Sequence, residues 1–221
     1  MSKEIAHCAL GGAPARIVFF PNNQPKKKPM TPLVLASTSP YRRELLSRLQ
    51  LPFTWAAPSI DETHQINESA ETLVRRLAEE KARALASDFT RHLIVGSDQV
   101  ALFNGEIIGK PHDFARAKAQ LQAASGASVT FLTGLALLNS ATATCQIDCV
   151  AFTVHFRHLS EASIIRYLEA EQPFDCAGSF KAEGLGVSLF RATEGTDATS
   201  LIGLPLIRLV DMLLHEGVQL P

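Results

Sequence analysis

A chain of 221 residues with 46% hydrophobic and 19% charged residues is long and apolar enough to bury its own core, as one large domain or two small lobes, and too apolar to stay disordered. Lys plus Arg (21) against Asp plus Glu (22) leave a formal charge of -1, so no global field exists to hold a nucleic-acid backbone or an acidic membrane. No run of about 18 uncharged apolar residues is present, which excludes a helical membrane span.

Residues 1–29 differ from the rest of the chain: they have no clear period, and a Pro/Asn/Gln/Lys stretch leads to Met30 directly before a clean strand. A flexible extension and a start assigned too far upstream both predict this pattern, so the folded unit is placed at residues 30–221. Lys26-Lys27-Lys28 reads as part of that extension, with nucleic-acid binding through these three lysines as a third, competing reading. The apolar stretch Ala9 to Phe20 is interrupted by Gly11, Gly12, Pro14 and Arg16 and does not read as an export signal, so a cytoplasmic protein is expected.

Leu33 to Ala36 reads as a short apolar strand, and Ser37-Thr38-Ser39-Pro40 turns it into a helix with Ser39 as N-cap and Pro40 at the first helical position. Leu45, Leu46 and Leu49 form its buried stripe, and Pro52 ends it. Ser69 opens a second helix with Val74, Leu77, Ala78 and Leu85 on one face, and Lys81 falls on that same face. Leu93 to Val95 and Val100 to Phe103 read as two strands separated by Gly96-Ser97-Asp98-Gln99. Asn104-Gly105 is a hairpin turn into Glu106 to Ile108.

Asp113 caps a helix that stops near Gly126, and strands are expected at Val129 to Leu138 and Val150 to Phe156, the latter alternating with His155 and Arg157 outward. Cys145 and Cys149 lie an even number apart in a β-like stretch and are expected on one face as small buried or half-buried structural thiols; with Cys8 and Cys176 they are too few and too irregular for a disulfide scaffold or a zinc quartet. Ser160 begins a helix that Pro173 closes. Gly178 to Gly186 is a glycine-punctuated turn region, Val187 to Phe190 a strand, and Pro205 opens a last helix with Leu206, Val210 and Leu213 buried. Strands and helices mix without strict alternation, so the fold class is α/β of the mixed α+β kind: a twisted mixed sheet flanked by helices.

Chemistry gathers at few places. The turn after the first strand offers the hydroxyls of Ser37, Thr38 and Ser39, free N–H groups at a helix start, and the guanidiniums of Arg42 and Arg43, which together suit a polyphosphate; a plain helix cap with solvated arginines is the alternative. Arg42 stands where a capping box would put an acid, and an anion would offset its clash with the helix dipole. Asp98, after an apolar strand, can hold a divalent cation or take a proton from water, or merely shape a turn. Asp61-Glu62 can complete a Mg²⁺ site or form a surface turn. Lys81, Lys110 and Lys181 each read either as a stem reaching for solvent or as an ammonium facing an anion in a cleft.

The stretch Leu35-Ala36-Ser37-Thr38-Ser39-Pro40-Tyr41-Arg42-Arg43-Glu44-Leu45-Leu46 closely resembles the N-terminal signature of Maf-family nucleotide pyrophosphatases. The match continues in order through Asp61-Glu62, Glu80-Lys81-Ala82, Gly96-Ser97-Asp98, Gly109-Lys110-Pro111, Thr133-Gly134, Ala177-Gly178-Ser179-Phe180 and Gly203-Leu204-Pro205-Leu206, and so spans residues 30–221. The resemblance implies a fold like that of the inosine-triphosphate pyrophosphatases, with a cleft between two lobes. It also implies hydrolysis of a nucleoside triphosphate between the α and β phosphates, helped by a divalent metal cation (Mg²⁺, Mn²⁺ or Co²⁺).

On the same resemblance Asp98 is the proton acceptor and, with Glu62, a metal ligand. The resemblance gives Arg42, Lys81 and Lys110 the phosphates and makes Ser37, like Glu62, a further site position; Arg43 is expected in the substrate site from its place at the helix start. Tyr41, Gln99 and Glu183 stand at the positions that look like base-specificity determinants. An N7-methylated guanine is a cationic ring with donors at N1 and N2, which an aromatic face, a carboxylate and an amide suit, and this points to the 7-methyl-GTP branch. Hydrolysis of dTTP or UTP, and a nucleotide-sensing module tied to cell division, are the competing readings. The partners expected are a small-molecule nucleotide and, through an exposed strand edge, a second copy of the chain.

Overall fold

In the computed structural model, which describes residues 31–220, the chain opens with β1 (Leu33–Ala36), whose four residues are all buried because the strand is covered on both faces. The expectation for residues 1–29 lies outside the described residues. Helix α1 (Pro40–Ser47) has the expected start, with the Ser39 side chain accepting from the Arg42 amide and Pro40 in the first turn. Then come β2 (Phe53–Ala56), α2 (Ala70–Ala84), β3 (Leu93–Phe103), β4 (Glu106–Ile108) and α3 (Phe114–Ala124). The chain continues with β5 (Ser128–Asn139), β6 (Thr144–Phe156), α4 (Glu161–Glu171), β7 (Phe190–Gly195), α5 (Thr199–Ile202) and α6 (Leu206–His215). Among the described residues no helix is long and apolar enough to cross a membrane.

The strands form one seven-stranded mixed sheet in the order β2-β1-β3-β5-β6-β7, with β4 also paired to β3. β1 runs parallel to β2 and β3, while the other pairings are antiparallel. Side chains alternate across this sheet as pleating requires. Val34, Ala36, Ile94, Ala136 and Leu138 pack under α2 together with Ala78, Ala82 and Leu85. Leu33, Leu35, Val95, Leu135 and Leu137 face the other way, onto α1 and α6. A third cluster, built on Phe131, Phe152, Phe156, Phe180 and Phe190 with residues of α3 and α4, fills the far end of the long strands. The two ends of one sheet thus carry separate packing and form the two lobes.

Four local expectations needed correction. Gly96 to Gln99 does not break a strand, because β3 runs on through it and pairs with β5 from Leu93 to Leu102. Val187 to Phe190 is not a strand: Leu185–Leu189 coils as a 3-10 turn, since Gly186 lies so close to Lys181 that an added Cβ would meet its carbonyl oxygen at 2.2 Å, and the strand begins only at Phe190. In α6 the buried residues are Leu206, Leu209, Met212 and Leu213, and Val210 is only half-buried. β6 begins at Thr144 rather than Val150, and β2 and α5 had no sequence signal, β2 being a half-exposed edge strand of four residues and α5 a single turn.

The hairpin turn holds, with Asn104 at φ 51 and Gly105 at φ 84, both positive as a tight type I′ turn requires. α2 lies unusually close to the sheet. A Cβ on Gly96 would meet the Ala78 carbonyl oxygen at 2.0 Å, and one on Gly134 would meet that of Val74 at 2.0 Å. Because the clashing atoms are helix backbone, only displacement of α2 could relieve them. Gly96→Ala and Gly134→Ala are each expected to cost about 3 kcal/mol or more, the upper end for overpacking, read as a lowered midpoint in urea denaturation.

Candidate active site

On one edge of β3, β1 pairs with Leu93 to Val95 and β4 with Ala101 to Phe103. The residues between them, 96 to 100, have no strand beside them on that edge, and this notch opens a cleft of about 600 Å³. Ser37 to Arg42 at the turn after β1 form one wall, and Ile107 to Lys110 at the end of β4 form another. A smaller compartment of about 150 Å³ adjoins it, lined by Phe131, Cys176, Phe180, Glu183 and Leu201 among others. Tyr41, Arg42, Gln99, Lys110 and Asp175 line both spaces and so stand at their junction.

Alternation along β3 sends Asp98 to the α2 side. There Lys81, only 6% exposed as a residue, donates from its ammonium to Asp98 Oδ1 at 2.6 Å and lies 2.8 Å from Glu62 Oε1. Lys81 therefore faces anions inside a cleft and does not reach for solvent. Its hydrogen bond, and then the fields of Lys110 and Arg42, hold the Glu62 carboxyl below the usual range. Asp61 is the turn-former, accepting from the Thr63 amide at 2.9 Å, so only Glu62 of the acidic pair reaches this cluster.

Gln99, one residue on, points to the opposite face. Its amide nitrogen donates to Ser200 O (2.7 Å) and lies 3.0 Å from Thr133 Oγ1, whose own hydroxyl donates to Ser200 O at 2.9 Å. Since the backbone neighbour can only accept, the amide orientation is fixed, and its oxygen is the part left for a ligand. Arg42 is anchored on the same side: its Nε donates to Gly203 O at 2.8 Å, a carbonyl that also lies 2.9 Å from the Ser97 hydroxyl. Burial lowers the Arg42 guanidinium's proton affinity, and the negative charges of Asp98 and Glu62 oppose that shift.

Tyr41 stands between the compartments with its phenol pushed up, first by burial and then by Cys176, Asp175 and Glu183 nearby. Ser37 is buried at the cleft wall, where its hydroxyl accepts from the Ser39 amide at 3.1 Å. Arg43 is not brought to the cleft: its guanidinium lies over the Trp55 ring, 4.9 Å from the centroid, because consecutive residues of a helix project about 100° apart and Arg42 already takes the inward direction. Lys181 is absent from the lining too, its ammonium donating to Glu171 O at 2.7 Å. The sequence pattern gave no role to Asp175 and Cys176, whose signal was their place directly before the Ala177-Gly178-Ser179-Phe180 motif.

The donor set suits a metal shared with a ligand. Among the described residues no group of three His, Cys, Asp or Glu side chains gathers to hold an ion. Asp98 and Glu62 each keep one carboxylate oxygen beyond the one facing Lys81, and Mg²⁺ is commonly held by one or two carboxylates with phosphates completing its shell. Cavity shape, cations and carboxylates together can bind a triphosphate, position water and take up its proton.

Residues 32–216 match the family model described as Maf-like protein. A protein from Pseudomonas savastanoi pv. phaseolicola named 7-methyl-GTP pyrophosphatase is 72% identical over 192 residues, covering 87% of this chain and 100% of that protein. One of the same name from Pseudomonas aeruginosa is 69% identical over the same share of both chains. Among solved structures, a HAM1 protein from Coxiella burnetii aligns with a TM-score of 0.49 at 16% identity, covering 85% of this chain and 100% of that one.

Burial raises the thiols of Cys145 and Cys149, which share the α2 face of the sheet, to about 11, and that of Cys176 to about 12, with Asp175 adding to the last. The thiolate is the reactive form, so at pH 8 only roughly 0.1% or less of each is available. Iodoacetamide at pH 8, followed by peptide mass mapping, is expected to leave all three largely unmodified in the native protein and to label them once it is unfolded.

Proposed function

The chain belongs to the Maf family, and on that premise we propose that it is a nucleoside-triphosphate pyrophosphatase acting on 7-methyl-GTP, releasing 7-methyl-GMP and pyrophosphate. The relatives named 7-methyl-GTP pyrophosphatase support the substrate, since they match this chain along their whole length. The observation that carries the reading is the buried Lys81 ammonium held between Asp98 and Glu62, in a cleft also lined by Arg42 and Lys110.

In this reading the triphosphate lies in the larger compartment and the base in the smaller. Lys81 pins one oxygen of Asp98, which leaves the other to orient a water and accept its proton as the water oxygen bonds to the α-phosphorus. The bond from that phosphorus to the bridging oxygen breaks, and pyrophosphate departs with negative charge that Lys81, Lys110 and Arg42 face. A divalent cation held by Glu62 and the phosphates would supply further neutralisation of that charge. Tyr41 offers an aromatic face, Glu183 a carboxylate and Gln99 its amide oxygen to the cationic ring and its donor edge.

Asp98→Asn keeps the shape and an acceptor for Lys81 but loses the base, so kcat for 7-methyl-GTP with Mg²⁺ should fall by on the order of 10³-fold or more while the thermal midpoint stays within a few degrees. Turnover near the wild-type rate would remove Asp98 from this role. Side-by-side hydrolysis of 7-methyl-GTP, GTP, dTTP and UTP should give the highest kcat/KM for the first, and a clear preference for a pyrimidine triphosphate would overturn the assignment of the base.

A further inference from the structure

We propose that the Asp175 carboxylate binds the ribose hydroxyls of the substrate and is the residue by which the site recognises the sugar. The inference rests on the reading of the cleft as a nucleotide site. A nucleotide laid with its phosphates in the larger compartment and its base in the smaller must pass its sugar through the junction between them. Asp175 lines both spaces, and among the described residues that do so it is the one carboxylate.

The other polar groups there are already committed or belong to the phosphate end. Arg42 is tied to the Gly203 carbonyl, and the Gln99 amide nitrogen to Ser200 and Thr133. Asp175 has as its hydrogen-bond partner the Cys176 thiol, a weak donor at 3.4 Å, and no ion pair neutralises it among the described residues. An ionised carboxylate only accepts hydrogen bonds, so it repels phosphate oxygens and calls for donors. A ribose offers two adjacent hydroxyls, spaced to meet the two oxygens of one carboxylate, and a bond to an ionised acceptor is stronger than one between neutral groups. Tyr41, to whose ring the proposed function gives the base, lines the same junction as Asp175.

The test compares kcat and KM for 7-methyl-GTP and its 2′,3′-dideoxy analogue, with Mg²⁺, in the wild-type protein and in Asp175→Ala. The wild type should favour the ribonucleotide by on the order of 10- to 100-fold in kcat/KM, chiefly through KM, and the variant should bring that ratio close to one. A wild type indifferent to the hydroxyls, or a variant that keeps the wild-type ratio, would overturn the proposal. Because each ratio is internal to one protein, loss of folded material cancels; if Asp175→Ala yields none, Asp175→Asn must lower the ratio, and an unchanged ratio there counts against the proposal equally. The 2′-deoxy and 3′-deoxy analogues show which hydroxyl is held. Should 7-methyl-GTP be a poor substrate, the base assignment fails by itself, and the sugar ratio is read on whichever ribonucleoside triphosphate is hydrolysed.

Discussion

The contact on which the site depends is the seating of α2 on bare backbone of the sheet. Gly96 and Gly134 present no side chain where the helix crosses them, so the Ala78 and Val74 carbonyls approach to distances that any Cβ would forbid. Lys81 sits one turn beyond Ala78 on the same helical face, and Asp98 two residues beyond Gly96 on the same face of β3. The close approach is therefore what brings an ammonium and a carboxylate together at 2.6 Å away from bulk solvent. In a drier environment the mutual attraction of such charges is larger, but so is the cost of removing them from water. The cluster tolerates that cost because it opens on a polar cleft, where Glu62 remains largely exposed.

The second constraint is the way β3 changes partners. A strand bordered by β1 at one end and β4 at the other leaves its middle open, and the turn after β1 with the start of α1 walls one side of the cleft that results. Pleating then divides labour between adjacent residues: Asp98 faces α2 and the acid-base cluster, while Gln99 faces α5 and the smaller compartment. Ser97 joins Gln99 on that side, and its hydroxyl meets Arg42 at the same Gly203 carbonyl, which links β3, α1 and the end of α5 at a single oxygen.

Much of this was legible in the chain. The cap at Ser39-Pro40, the buried face of α2 with Lys81 on it, the Asn104-Gly105 turn and the paired faces of Cys145 and Cys149 arise from local rules and are present. Gly96 to Gln99 misled because glycine and polar residues inside an apolar run look like a turn, whereas here glycine admits a helix and the polar side chains serve the cleft. Arg43 misled because adjacency in sequence says nothing of direction, and its guanidinium found Trp55 on an edge strand that had left no trace in the pattern. Asp175 was given no role for a similar reason: its neighbouring motif marks the segment, but only long-range packing puts the residue at a junction between two compartments.

The bound amide of Gln99 has one further result. With its nitrogen fastened to backbone, the side chain cannot rotate by half a turn to swap donor for acceptor, as an unrestrained glutamine would. On the proposed reading of the smaller compartment as the base site, every ring that settled against it would confront the same carbonyl lone pairs. On the proposed reading, a heterocycle whose edge also carried lone pairs there would be turned away by electrostatic opposition, whatever its size, and part of the selectivity would reside in a group that is unable to adapt.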